Sequence, residues 1–129
     1  MSKLMLSKYV CDYANIYWYD WWYDTQLNIP NADKKETLLV VGCGTIGCMA
    51  IGVAKTMSVT GKIIACDVVE DKLAIAKQMG ADVVFNPLKL GGQSLKEKIL
   101  GLTDNVGAGR IIECSGHAKT VSQIFGCLR

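Results

Sequence analysis

The chain has 129 residues, a formal net charge of +2 and 50% hydrophobic residues. That length holds one domain with a core of ordinary size, and the small, dispersed positive charge excludes the basic footprint of a nucleic-acid-binding surface. No apolar run nears the roughly twenty residues needed to cross a bilayer, so no membrane partner is expected.

Residues 1–36 differ in composition from everything after them. All five tyrosines and all three tryptophans lie between Tyr9 and Tyr23, and no glycine precedes Gly42. Rings at that density read either as an interaction patch or as an extension foreign to the domain behind it. Residues 28–36, with Pro30 and a charge cluster, read as a linker, which leaves 37–129 as the folded unit. Lys3 and Lys8 interrupt any signal peptide, and the acids Asp12, Asp20 and Asp24 argue against a mitochondrial transit peptide. The expected location is the cytoplasm.

Leu38-Leu39-Val40-Val41 is a continuous apolar run of the kind buried inside a parallel sheet. It passes directly into Gly42-Cys43-Gly44-Thr45-Ile46-Gly47, a Gly-x-Gly-x-x-Gly loop that opens a helix. In a dinucleotide site each glycine has a separate task. Gly42 allows the tight turn, Gly44 lets the backbone approach a pyrophosphate, and Gly47 lets the helix pack closely on the strand. The free amides of the first helical turn then hold the diphosphate. The helix starts at Thr45 or Ile46, with Ile46, Ala50, Val53, Ala54 and Met57 as its apolar face, and Thr60-Gly61 turns into the second strand.

That second strand, 62–67, ends in Asp67, twenty residues beyond Gly47. A dinucleotide fold places there the acid that bonds both hydroxyls of the adenosine ribose, and its charge repels a 2′-phosphate, favouring NAD over NADP. Asp67 is also suited to cap the helix that starts near Val69. That helix runs over 69–79 with Val69, Leu73 and Ala76 on one face and Gly80 as its stop. A third strand over 81–85 is halted by Asn86-Pro87, and a loop follows over 88–92. An amphipathic helix spans 94–102 with Leu95 and Ile99 inward. A glycine turn at 107–109 leads to a fourth strand over 110–114, the small-residue turn Ser115-Gly116, and a last helix over 119–128.

Strands and helices alternating at this rhythm predict an α/β fold with a parallel sheet and right-handed crossovers. Ligands of such sheets bind at the C-terminal ends of the strands, where Gly42, Asp67 and Ser115 all fall. Of the six cysteines, Cys43, Cys48, Cys66 and Cys114 lie in or beside strands and turns, and no Cys-x-x-Cys pair occurs, so buried reduced thiols are expected. The one histidine is His117, and no metal site of recognisable spacing is present.

Four blocks together carry a family resemblance: Val40-Val41-Gly42-Cys43-Gly44-Thr45-Ile46-Gly47, Cys66-Asp67-Val68-Val69-Glu70-Asp71-Lys72-Leu73, Ala76-Lys77-Gln78-Met79-Gly80-Ala81-Asp82 and Ile112-Glu113-Cys114-Ser115-Gly116. In this order and spacing they resemble the cofactor domain of the zinc-dependent alcohol dehydrogenases, the medium-chain dehydrogenase/reductases. Within that family the resemblance is nearest to the branch acting on polyols and threonine. It implies a Rossmann-type doubly wound sheet and an NAD site. Gly42, Gly44, Thr45 and Ile46 would lie along the pyrophosphate, Asp67 and Lys72 at the adenosine ribose, and Cys114 and Ser115 along the cofactor groove, with His117 near it. Lys72 has the alternative of a solvated helix charge, and His117 that of a surface residue at a helix start.

The family also uses a catalytic zinc, which polarises the substrate alcohol. Its zinc-ligand cysteine, Gly-His-Glu block and four-cysteine lobe have no counterpart here, so no catalytic or metal-binding residue is assigned. The resemblance further implies an incomplete sheet, about four of six strands in the order 3-2-1-4. Strand four would then be an edge flanked by Arg110 and Glu113, open to association with another copy. Two other readings stand beside this one. S-adenosylmethionine-dependent methyltransferases carry a Gly-Cys-Gly-Thr-like loop, but with glycines at alternate positions and an acid in strand one, whereas here Ile46 takes the third such place and 38–41 has no acid. A non-enzymatic interaction protein would use the aromatic N-terminus and keep only a vestigial nucleotide site.

Overall fold

Four short strands, Leu38–Val41 (β1), Ile63–Cys66 (β2), Val83–Phe85 (β3) and Arg110–Glu113 (β4), form one parallel sheet in the order β3-β2-β1-β4. The computed structural model describes residues 36–57 and 60–129. The aromatic segment and most of the linker therefore lie outside the described residues. Leu38 stands level with Ile63 on one side and Arg110 on the other, and Val41 with Cys66 and Glu113. Four helices accompany the strands: Thr45–Met57 (α1), Glu70–Met79 (α2), Leu95–Leu102 (α3) and Ala118–Ile124 (α4).

The period-two alternation of the strands divides the core into two layers. Leu38, Val40, Ile63, Ala65 and Ile112 pack on one face with residues of α1 and α2. Leu39, Val41, Ile64, Cys66 and Ile111 pack on the other with Ile99 of α3 and Ile124 of α4. Every side chain of β1 is buried, which explains why its sequence is apolar without interruption. Burial stabilises each such aliphatic side chain by about 1.5–3 kcal/mol relative to exposure. The crossovers through α1 and α2 build outward from β1 to β3. The chain then returns past β1 to β4, and this reversal opens a crevice at the strands' C-terminal ends.

Several elements differ from the sequence expectation in ways that have physical causes. The buried stripe of α1 is Gly47, Cys48, Ala50, Ile51 and Ala54; Val53 and Met57 are only half-buried. Small residues take that stripe because α1 lies close on β1. Val69 is not on the inner face of α2 but precedes the helix at its N-cap and stays 41% exposed. Only Val83–Phe85 of the 81–85 segment pairs as strand; at its lead-in the Asp82 amide donates to the Ile63 carbonyl and the Asp82 carboxylate accepts from the Ile63 amide at 2.8 Å. Pro87–Lys89 is a 3-10 turn rather than open loop, capped by the Asn86 side chain accepting from the Leu88 amide at 2.9 Å. The last helix stops at Ile124 and tightens to a 3-10 turn over Phe125–Cys127.

β4 is the edge expected, but its two charged residues do not guard it. Arg110 forms an ion pair at 2.6 Å with Glu36, which also meets Arg129 at 3.0 Å. Glu113 is 1% exposed and turns toward the loop that follows the strand. Beyond α4 the chain runs alongside the lead-in to β4, where Leu128 bridges Ala108 in parallel.

α3 starts with a reciprocal cap. The Ser94 hydroxyl accepts from the Glu97 amide at 3.2 Å, and the Glu97 carboxylate accepts from the Ser94 amide at 2.7 Å. These bonds from Ser94 hold the Glu97 carboxyl below the usual carboxylate range. Replacing Ser94 by Ala should lower folding stability by about 1 kcal/mol, the typical loss of a side-chain cap. Urea denaturation monitored by circular dichroism measures it, and an unchanged midpoint would contradict the role given to the cap.

Candidate functional site

The C-terminal ends of β1, β2 and β4 open into a single cleft of about 230 Å³. Its walls bring together Gly42, Gly44, Asp67, Lys72, Cys114 and Ser115, with His117 also lining it. Three other residues expected at the site stand apart from these walls. Thr45 is exposed at the head of α1, Ile46 packs partly against the core, and Gly47 is buried beneath the loop. Val68, Val69, Pro87 and Thr120 also line the cleft and were not singled out by sequence.

Backbone contact sets the shape of the floor. Gly42 has φ +93°, and a β-carbon there would lie 2.7 Å from the Ser115 amide nitrogen. A β-carbon on Gly47 would lie only 1.9 Å from the Gly42 carbonyl oxygen. Both positions therefore exclude any side chain, the first by conformation and contact, the second by contact alone. Gly44 differs, since a β-carbon there meets nothing within 4 Å. Its backbone faces open space at the head of α1, where first-turn amides lack acceptors within the helix.

Asp67 joins the two loops that flank the cleft. One carboxylate oxygen accepts from the Cys43 amide at 2.7 Å and the other from the Val69 amide at 2.8 Å. The acid thus ties the glycine loop to the lead-in of α2. A carboxylate offers about four lone-pair sites, so both oxygens retain capacity toward the cleft. Lys72 is exposed two residues into α2.

Glu113 is the feature that sequence reasoning missed. Buried at the end of β4, its carboxylate accepts from the Ser115 amide at 2.7 Å, from the Ser115 hydroxyl, and from the Gly116 amide at 3.4 Å. Three donors from one tight turn compensate the burial of this carboxylate. The Ser115 hydroxyl is committed to this cradle and in turn accepts from the His117 amide at 3.3 Å. An acid directly ahead of Cys-Ser-Gly was the available sign, because a turn of small residues exposes successive amides to a side chain two or three positions back.

The five described cysteines are free, and four of them are buried. The Cys48 thiol contacts the Cys43 carbonyl at 3.3 Å, and the Cys43 thiol the Cys66 carbonyl at 3.6 Å. Burial pushes Cys43 far above the ordinary thiol range and raises Cys66 to about 12, with the Asp67 charge adding to the effect at both. Cys114 is also raised to about 12, by burial and by the adjacent Glu113 charge. These thiols fill space and are not poised as nucleophiles.

The sheet order, the glycine loop and the acid at the end of β2 define a Rossmann-type module, and the comparisons agree. The chain belongs to the zinc-binding dehydrogenase family, whose profile matches residues 45–129. It is similar to an L-threonine 3-dehydrogenase of Symbiobacterium thermophilum, 38% identical over 88 residues, which are 68% of this chain and 24% of that one. It is similar as well to an erythritol/L-threitol dehydrogenase of Mycolicibacterium smegmatis, 38% identical over 95 residues, 74% of this chain and 25% of that one. Among solved structures, an Escherichia coli oxidoreductase/dehydrogenase of unknown specificity superposes with a TM-score of 0.67 at 32% identity, over 75% of this chain and 27% of that one. The chain spans about a quarter of the length of the curated relatives it matches. The family name implies zinc, but among the described residues no group of three or more His, Cys, Asp or Glu side chains is placed to hold a metal ion. No helix among them is long and apolar enough to cross a membrane.

Two measurements probe this site without a ligand. Gly47→Ala should fold poorly or lose thermal stability by tens of degrees, whereas Gly44→Ala should melt within a few degrees of the parent, as a substitution into open space does. Equal melting of the two variants would refute the close approach. The thiols predict a pH dependence of set sign. Cys66 and Cys114 have ordinary values of 9.0 and stay protonated in the folded chain to about 12, so between those limits the unfolded chain binds fewer protons. Stability should be unaffected by them below pH 9 and fall as the pH rises toward 12. Cys66→Ala should flatten that fall in urea titrations, and an unchanged slope would remove Cys66 from the account.

Proposed function

We propose that residues 37–129 form the NAD(H)-binding domain of a zinc-type alcohol or polyol dehydrogenase-like oxidoreductase, and that 1–36 is an extension ahead of it. The observation that carries this reading is the position of Asp67, hydrogen-bonded to the glycine loop and lining the cleft at the C-terminal ends of the strands. The open side of Gly44 gives the backbone access to a diphosphate, and the first-turn amides of α1 with the positive end of its dipole favour that charge. Asp67 has lone pairs left for the ribose hydroxyls, and Lys72 reaches the same wall. Val68 and Val69 offer an apolar surface for a planar base. Ser115 contributes through its place in the Glu113 turn, because its hydroxyl is already bonded.

The bound dinucleotide would supply hydride acceptance at its nicotinamide ring; the described residues bind and orient it. They contain no ligand set for the family's zinc, so this region by itself should not oxidise an alcohol. Family membership and the curated relatives, one of them a Sulfurisphaera tokodaii NAD-dependent alcohol dehydrogenase, favour a dinucleotide over S-adenosylmethionine.

Isothermal titration calorimetry tests the reading. NADH should bind at least tenfold more tightly than NADPH, a difference of about 1.4 kcal/mol or more, because Asp67 opposes the extra phosphate. Asp67→Ala should narrow the ratio, and Gly44→Ala should weaken both cofactors while leaving the fold intact. Equal affinities for the two cofactors in the parent chain would overturn the assignment.

A further inference from the structure

We propose that the aromatic segment, residues 9–23, docks within its own chain on the cleft at the opposite, N-terminal end of the sheet, beside the lead-in to β4. The described chain begins there. Glu36 is held between Arg110 and Arg129, and its carbonyl accepts from the Gly61 amide at 3.0 Å. Glu36 also lines a cleft of about 410 Å³, together with Lys62, Asp104, Val106 and Arg129. The thirty-five residues before Glu36 therefore enter the fold at the rim of this cleft.

The surface around the rim has the chemistry such a segment requires. Val106 is 55% exposed on the cleft wall, and Leu128, bridged to Ala108 and next to Arg129, is 45% exposed. Lys62 and Arg129 add cationic groups at the same end. The segment brings five tyrosines and three tryptophans, and between Tyr9 and Ala32 it carries the acids Asp12, Asp20 and Asp24 without a single Lys or Arg. Aromatic faces suit both exposed aliphatic carbons and a guanidinium group. Twelve residues separate Tyr23 from Glu36. They reach at most about 40 Å when extended, far enough to fold back over the rim. Tethering at Glu36 gives the segment an effective concentration of order millimolar at this surface, which favours it over a second copy.

Because Trp18, Trp21 and Trp22 are the only tryptophans, intrinsic fluorescence reports on this segment alone. In the full chain, docking predicts emission shifted to the blue of the urea-unfolded chain, acrylamide quenching reduced relative to it, and both independent of protein concentration. Val106→Ser with Leu128→Ser should abolish the shift while circular dichroism shows the fold retained. Leu88→Ser, the most exposed large apolar residue among those described and one close to the opposite edge strand β3, should leave it unchanged. Should the double variant unfold, Arg129→Gln in the full chain replaces it, with a partial loss of the blue shift expected. Unfolded-like emission in the native chain, a shift insensitive to both variants, or one that disappears on dilution as a second copy dissociates would each overturn the proposal.

Discussion

The main chain of the glycine loop passes so close to its neighbours that a β-carbon on Gly47 would stand 1.9 Å from the Gly42 carbonyl oxygen. The start of α1 is thereby pressed onto the end of β1, which brings the head of the helix to the mouth of the crevice. Gly42 in turn lies against the Ser115 amide, so the loops after β1 and β4 share a floor with no side chain between them. The width of the cleft follows from these two contacts. So does the composition of α1, whose buried stripe of Gly47, Cys48, Ala50 and Ala54 is small apart from Ile51.

Two carboxylates hold the loops around that floor. Asp67 takes the amides of Cys43 and Val69, and Glu113 takes those of Ser115 and Gly116. In each case an acid at the end of a strand satisfies main-chain donors that the sheet ladder no longer reaches. The two differ in burial: Glu113 is 1% exposed, whereas Asp67 is half-buried and lines the cleft. Glu113 is fully occupied with structure, while Asp67 retains capacity for a ligand. Asp67 is not the cap of α2: Val69 is the N-cap residue, no side chain caps that helix, and the bond from Asp67 to the Val69 amide uses only part of one oxygen.

At the other end of the sheet, charge performs a related task. Glu36 connects the start of β1 to Arg110 at the start of β4 and to Arg129 at the close of the described chain. With its side chain 10% exposed and Arg110's 17% exposed, Glu36 is shielded enough for its two carboxylate oxygens, one toward each arginine, to fix position as well as attract. A clamp at one end and a glycine floor at the other hold β4 in register, although only one of its sides pairs along its length with another strand of the sheet.

The sequence by itself determined the element types, their order and the parallel sheet, because four apolar runs alternating with helical patterns have few other solutions. It also placed Gly42, Asp67 and Ser115 at one end of the sheet, since all three follow strand ends, whereas Lys72 and Cys114 were expected there only from the family resemblance, and Thr45, Ile46 and Gly47 do not line the cleft. Single-residue orientation was decided only by tertiary structure. Val69 reads as one more apolar helix position, yet the Asp67 bond to its amide places it before the helix and in solvent. Glu113 reads as a charged edge residue, and only the turn at Ser115 and Gly116 supplies the donors that allow its burial. The inner stripe of α1 shifted toward Cys48 and Ile51 because the approach at Gly47 fixes the helix's rotation about its axis. Periodicity gives the spacing of a helical face, but its phase depends on which contact is closest, and that contact joins two backbones whose sequence records only glycine.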